Sequence, residues 1–153
     1  MQYICDLHIH SSYARACSKE LTLANIDRWA KLKGINIIGT GDFSHPARCQ
    51  EIENNLVEKY PGLFQLKGSA TGTLFMLTNE ISCIYSQGGR VRRLHLCLLA
   101  PSLDFVSKLN LTLANRGCKL GSDGRPIIGM SAKELLKICL EIDSRHLTIP
   151  AHA

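Results

Sequence analysis

Short apolar runs recur along this chain, and helix-period segments separate them. Ile35-Asn36-Ile37-Ile38-Gly39-Thr40 is β-branched and too short for a helix, so it reads as a buried strand. Residues 2–7 look like a first strand. Thr22 then stands at the N-cap of a helix carrying Leu23, Ile26, Trp29, Ala30 and Leu32, with Gly34 placed to stop it. Helical spacing returns over 47–59 and breaks at Pro61-Gly62, and Leu74–Thr78 is another strand. Residues 81–86 and 91–99 flank Gln87-Gly88-Gly89 as a hairpin. Helices are predicted at about 102–115 and 131–142, then a strand at 146–151. Strands alternating with helices predict an α/β fold with mainly parallel pairing, on which the hairpin is an elaboration.

Nothing divides the chain into parts. Its 153 residues are 45% hydrophobic and 20% charged, enough to build one buried core, and no linker, repeat or low-complexity tract interrupts them. No run approaches the ~20 apolar residues of a membrane span, and MQYICDLHIH lacks the segments of a secretory signal. Seven cysteines at wide spacings, with no CxxC pair, argue against a disulfide framework or a zinc ribbon and for a reducing, cytoplasmic location. The net charge of +5 fits an anionic partner. Arg90, Arg92 and Arg93 form one basic cluster, and Arg116, Lys119 and Arg125 another.

The functional signal is where histidines and acids fall. His8 and His10 end the first strand, and alternation puts them on one face about 7 Å apart, where both could ligate one metal ion. Asp42 follows the strand at 35–40 inside Gly39-Thr40-Gly41-Asp42-Phe43-Ser44-His45-Pro46, whose glycines permit a tight turn that exposes a carboxylate. Asp42 equally suits a turn or helix cap, and His45 is a weaker candidate ligand. Glu80 shares a strand face with Leu74, Met76 and Thr78, where a carboxylate is costly unless paired or metal-bound. His95 lies among leucines, and His152 follows the final strand. Singly, each of these residues also fits a satisfied core or surface position. Together they lie at or near the ends of successive strands, where β/α barrels build active sites. Nitrogen and oxygen donors without thiolates suit zinc, manganese or iron, and a bridging Glu could hold two ions close together for chemistry at phosphorus.

DLHIHS, GTGDFSHP, TNEIS, RRLHLCLLAP and IPAHA resemble the successive motifs of the PHP (polymerase and histidinol phosphatase) superfamily. That resemblance implies metal-dependent phosphoesterases on a distorted seven-stranded TIM-like β/α barrel with up to three metal ions. YARACSKELTLANIDRWAKLKGINIIGTGDFSHP, NEISCIYSQGGRVRRLHLCLLAPS and GSDGRPIIGMSAKELLKICLEID are similar to the endonuclease Q branch, which nicks DNA 5′ of deaminated bases and abasic sites. By position, the resemblance implies that His8 and His10 bind a first metal, Glu80 bridges, and His95 and His152 complete a second. Asp42 falls in the second motif, with Phe43 where many relatives have His and His45 as the substitute; Ala16 stands where some phosphatases carry a further ligand. Zinc is the first expectation for the ions, two or three per complete domain, with manganese or magnesium as alternatives.

The whole chain, 1–153, is therefore expected to be the N-terminal portion of a PHP domain. The superfamily's late Asp-x-His motif and the branch's downstream DNA-recognition and zinc-binding regions are not in it. A fragment and a truncated gene product both fit, and either should bind metal and cleave poorly. Arg90, Arg92, Lys119 and Arg125 are expected to contact DNA phosphates, and Arg93, on the face of His95, to meet the scissile phosphate as a bidentate donor. Two other readings compete: a phosphatase of small phosphate monoesters, and a metal-stabilised DNA-binding unit without turnover.

Overall fold

The structure is a computed structural model and describes residues 2–15 and 17–152; Ala16 lies outside them. In chain order the elements are β1 (Cys5–Asp6), α1 (Leu23–Lys33), β2 (Ile37–Gly39), α2 (Pro46–Asn55), β3 (Leu56–Tyr60), β4 (Leu63–Leu66), β5 (Leu74–Gln87), β6 (Arg90–Ala100), α3 (Leu103–Asn115), β7 (Ile127–Ile128), α4 (Ala132–Ile142) and β8 (Leu147–Ala151). A single 3-10 turn, Leu120–Ser122, precedes β7. The fold is mixed α/β with an open sheet, and no helix among the described residues is long and apolar enough to cross a membrane.

The local signals act as the sequence suggests. Thr22, Ser102 and Ser131 each accept the backbone N–H three residues on, satisfying a free donor at the start of α1, α3 and α4. Gly34 takes the left-handed conformation that ends α1. The inward stripe of α1 is Leu23, Ile26, Asp27 and Ala30. Leu32 lies about 180° around the helix from Leu23, so it is exposed, and Trp29 is also off the stripe and exposed. Asp27 is buried because Ser69 Oγ and Thr71 Oγ1 donate to its two oxygens. Cys83, Cys97 and Cys139 are buried, and desolvation pushes the Cys139 thiol up to about 12, as expected of inert core residues. All seven cysteines are free.

Two expectations are corrected. The helix predicted over 47–59 ends at Asn55, and Leu56 begins a hairpin of β3 and β4 that turns at Pro61-Gly62. Pairing Phe64 with Phe75 buries Leu56, Phe64 and Phe75 in the core, a gain that helical continuation would forgo. The pairing is also not mainly parallel: β1–β2, β2–β5 and β5–β7 are parallel, whereas β3–β4, β4–β5, β5–β6 and β6–β8 are antiparallel. Tracing these directions, β4 and β6 alone oppose the common sense of the described strands. The short first strand, Cys5–Asp6, suffices to start the sheet.

β5 organises everything else. Its first residues lie between β2 and β4, and its later ones between β6 and β7. Four steps separate β1 from β8 along β2, β5 and β6, which in a flat sheet would be about 19 Å. Yet the rings of His8 and His152, just beyond those two strands, are 5.3 Å apart. The sheet is therefore strongly curled, and its rims converge.

Gly39 lets β2 sit between its neighbours: a Cβ there would fall 2.5 Å from Thr78 Oγ1 and 3.0 Å from the Leu7 carbonyl oxygen. Thr78 Oγ1 also accepts the Gly41 N–H. Gly39→Ala should therefore cost about 1–3 kcal/mol in urea unfolding, as overpacking of a tight core does.

Candidate metal centre

Glu80 sits within β5, its side chain buried, and both carboxylate oxygens face imidazoles. On one side His8 Nε2 lies 3.1 Å and His10 Nε2 2.9 Å from Oε2. On the other, His95 Nδ1 lies 2.7 Å and His152 Nδ1 4.0 Å from Oε1. Strand register explains the convergence. His8 and His10 share a face beyond β1, His95 pairs with Ser82 two residues from Glu80, and His152 follows Ala151, which pairs with His95.

The two groups, His8–His10–Glu80 and Glu80–His95–His152, each bring three ligand atoms within 4.8 Å of one another. Donors held at ~2.1 Å by one ion can be at most ~4.2 Å apart, so both groups are close to ligation distance. One detail favours an ion over hydrogen bonding. His95 Nδ1 and Glu80 Oε1 are close, yet neither has a hydrogen-bond partner. Two buried polar atoms aimed together without a bond suit a shared cation. The donor set of imidazole nitrogens and a carboxylate, with no thiolate, fits zinc or a similar divalent ion.

Asp42 supports this centre from behind. The turn after β2 puts both Gly41 and Asp42 in the left-handed region, at φ 63° and 56°. Asp42 is fully buried; its Oδ1 is 2.9 Å from His10 Nδ1, and the Ser11 N–H and Oγ–H both donate to its Oδ2 at 2.6 Å. A proton on Nδ1 directed to Asp42 leaves Nε2 free to face Glu80, the arrangement that orients metal-binding histidines. Asp42 and His152 are the non-glycine residues at positive φ among those described, and both are at the centre.

His45 does not join either group. It precedes α2 and stacks on Tyr13 with ring centroids 4.8 Å apart. Arg90, Arg92 and Arg93 are exposed on the hairpin, and Lys119 is exposed before the 3-10 turn. Arg125 lies instead within the centre, its Nη1 3.6 Å from Glu80 Oε1. Two further residues escaped the sequence reading. Ser11 holds Asp42, and buried Arg48 anchors the strand end by donating to the Thr40 carbonyl at 2.6 Å and to Glu51 at 2.8 Å. Ser11 adjoins the HxH pair, which is a usable signal; Arg48 has none, since arginine on a helix ordinarily reads as surface.

The same geometry sets the protonation of the metal-free centre. The hydrogen bond to Asp42 raises the pKa of His10 above 6.5; burial opposes this, while the Asp42 and Glu80 charges add to it. Burial pushes the Glu80 carboxyl up, but the hydrogen bond from His8, with the charges of His10 and Arg125, outweighs it and holds Glu80 below its usual value.

No protein-family model matches the chain. The crystal structure of the lesion-specific endonuclease PfuEndoQ from Pyrococcus furiosus matches 97% of it at 34% identity, with a TM-score of 0.82. Over these residues the chain is similar to endonuclease Q in sequence and fold. A second structure, of endonuclease Q with a 27-mer duplex carrying an abasic lesion at the active site, matches equally, at 34% identity and a TM-score of 0.82 over 97% of the chain. An uncharacterized protein of Methanocaldococcus jannaschii is 34% identical over 147 residues. The chain spans 34% of the length of each solved structure and 16% of the M. jannaschii relative.

In the metal-free chain, the His10–Asp42 pair stabilises fully below pH 6.5, the ordinary value, and is lost as pH rises through the raised pKa of His10. NMR titration should place that pKa above 6.5, and Asp42→Asn should bring it back to 6.5 or below. An unchanged titration in the variant would show that Asp42 does not control His10.

Proposed function

We propose that this chain holds the metal centre of a DNA repair endonuclease that nicks 5′ of deaminated bases or abasic sites. The observation that supports it best is Glu80, one oxygen turned to His8 and His10 and the other to His95 and His152, in a chain whose fold matches a lesion-specific endonuclease. In this reading the chain is the N-terminal portion of a distorted seven-stranded PHP barrel, and the sheet's curl begins that barrel.

His8, His10 and Glu80 Oε2 would hold one divalent ion, and Glu80 Oε1, His95 and His152 a second. Bound there, such ions supply an activated water and neutralise charge on phosphoryl oxygens. Asp42 keeps the His10 proton on Nδ1, so that Nε2 stays a ligand. Arg48 and Ser11 fix the strand ends that aim these groups. The water oxygen bonds to phosphorus as the P–O bond to the departing nucleoside oxygen breaks with its electron pair. That oxygen is protonated from solvent, and the water's proton is released to solvent. Arg90, Arg92 and Lys119, exposed on the hairpin and the loop, add sequence-independent contacts to DNA phosphates.

Metal analysis and nicking assays on the complete protein test this reading, using duplexes with an abasic site, uracil or hypoxanthine. Nicking should require divalent ions, and Glu80→Gln should lower it by at least about a thousandfold with loss of bound metal, because both ion sites share that carboxylate. Turnover of phosphate monoesters without nicking would overturn the endonuclease reading. DNA binding without any turnover would overturn catalysis altogether. Arg90→Ala and Arg92→Ala should weaken binding of all sequences alike and reduce the salt slope by about one per lost contact.

A further inference from the structure

One side chain in the centre is not a metal ligand by type. Arg125 reaches Glu80 on the Oε1 side at 3.6 Å, and its side chain is 40% exposed, so it also opens toward solvent. A loose, part-exposed ion pair of this kind adds little stability. The loop that presents it is nevertheless fixed residue by residue. Asp123 Oδ1 accepts the N–H groups of Arg15 and Arg125, Gly124 N–H donates to the Tyr13 carbonyl, and the Pro126 carbonyl accepts from Ser82 N–H on β5.

Gly124 is the tightest point. A Cβ there would fall 2.4 Å from Asp42 Oδ2 and 2.9 Å from the Ala14 nitrogen, so the loop packs directly on the carboxylate that orients His10. The placement of Arg125 and the orientation of His10 therefore share one support. A guanidinium offers a rigid planar fork that matches two phosphate oxygens and stays charged at any working pH.

We propose that Arg125 is a catalytic residue: its guanidinium binds the non-bridging oxygens of the scissile phosphate on the His95–His152 side of Glu80. The proposal rests on the phosphodiesterase reading of the same centre. Arg125 forms no covalent bond and transfers no proton; it stays protonated and offsets the charge that gathers on the phosphoryl oxygens. With divalent cations on both Glu80 oxygens the charge of the carboxylate would be offset, and the guanidinium would be available to an anion. Arg90, Arg92 and Lys119, exposed on the hairpin and the loop, contribute affinity by contrast.

The test compares wild-type full-length protein with Arg125→Gln and Arg125→Lys, each loaded with zinc. Arg125→Gln should lower kcat for nicking an abasic duplex by about 10²–10³-fold, the usual loss on removing one charge-stabilising donor. Bound zinc should stay within about threefold and the Kd for uncleaved duplex should rise by no more than about tenfold, well short of the loss in kcat, and Arg125→Lys should recover part of kcat, since it keeps the charge but not the fork. Loss of zinc in both variants would make Arg125 a structural counter-ion and overturn the proposal. A rise in Kd with kcat unchanged would make it an ordinary backbone contact and overturn it equally. Inorganic phosphate gives a readout independent of nicking: the zinc-loaded wild type should bind it at least about tenfold more tightly than Arg125→Gln, a bidentate charged contact being worth that much. Equal phosphate binding would sink the role of Arg125. A wild type that binds phosphate through Arg125 yet nicks no DNA would instead sink the endonuclease reading alone.

Discussion

A single carboxylate, Glu80, sets the terms for the rest of this structure. It is buried inside the longest strand, and burying an isolated charge there is unfavourable by far more than a marginally stable fold can absorb. Its two oxygens must therefore be met, and the fold meets them from four directions: the end of β1, the middle of β6, the residue after β8 and the loop carrying Arg125. Those partners can assemble because the sheet curls, bringing His8 and His152 together from strands that a flat sheet would hold far apart. The curl and the charge are linked, since an uncurled sheet would hold His8 and His152 too far apart to meet at one carboxylate.

Around that carboxylate the supporting groups are shared. Asp42 occupies strained backbone, directs one oxygen to His10 and spends the other on Ser11, while Gly124 rests against it. Fixed groups of this kind are what a centre handling charged oxygens at phosphorus requires, because polar groups already in place need no reorganisation during reaction. The likeness to endonuclease Q, across 97% of the chain at a TM-score of 0.82, puts the same curled sheet in a protein that acts on damaged DNA.

Much was legible in the sequence where the signal is local. The caps at Thr22, Ser102 and Ser131, the stop at Gly34 and the hairpin about Gly88-Gly89 depend on a few neighbouring residues, and they form as their chemistry suggests. The errors fell where distant contacts decide. Leu56 could have continued α2, but pairing beside β5 buries apolar surface there, and the antiparallel β3–β4, β4–β5 and β6–β8 pairs depart from the mainly parallel order that alternating strands and helices suggest. Arg125 and Lys119 looked alike in one basic loop, and geometry separated them: one reaches Glu80, the other faces solvent.

Sequence alone determined the donor set. Alternation places His8 with His10 and Glu80 with Thr78, and the chemistry of those side chains follows from their types, whatever surrounds them. Tertiary structure alone decided the partnership. It set Asp42 against His10, left His45 stacked on Tyr13, and brought Arg125 to the carboxylate. The physical reason is range. A residue's protonation, ligation and strand-face preferences are local properties, whereas which oxygen a nitrogen meets depends on the curl of the sheet and on loops packed from opposite ends of the chain.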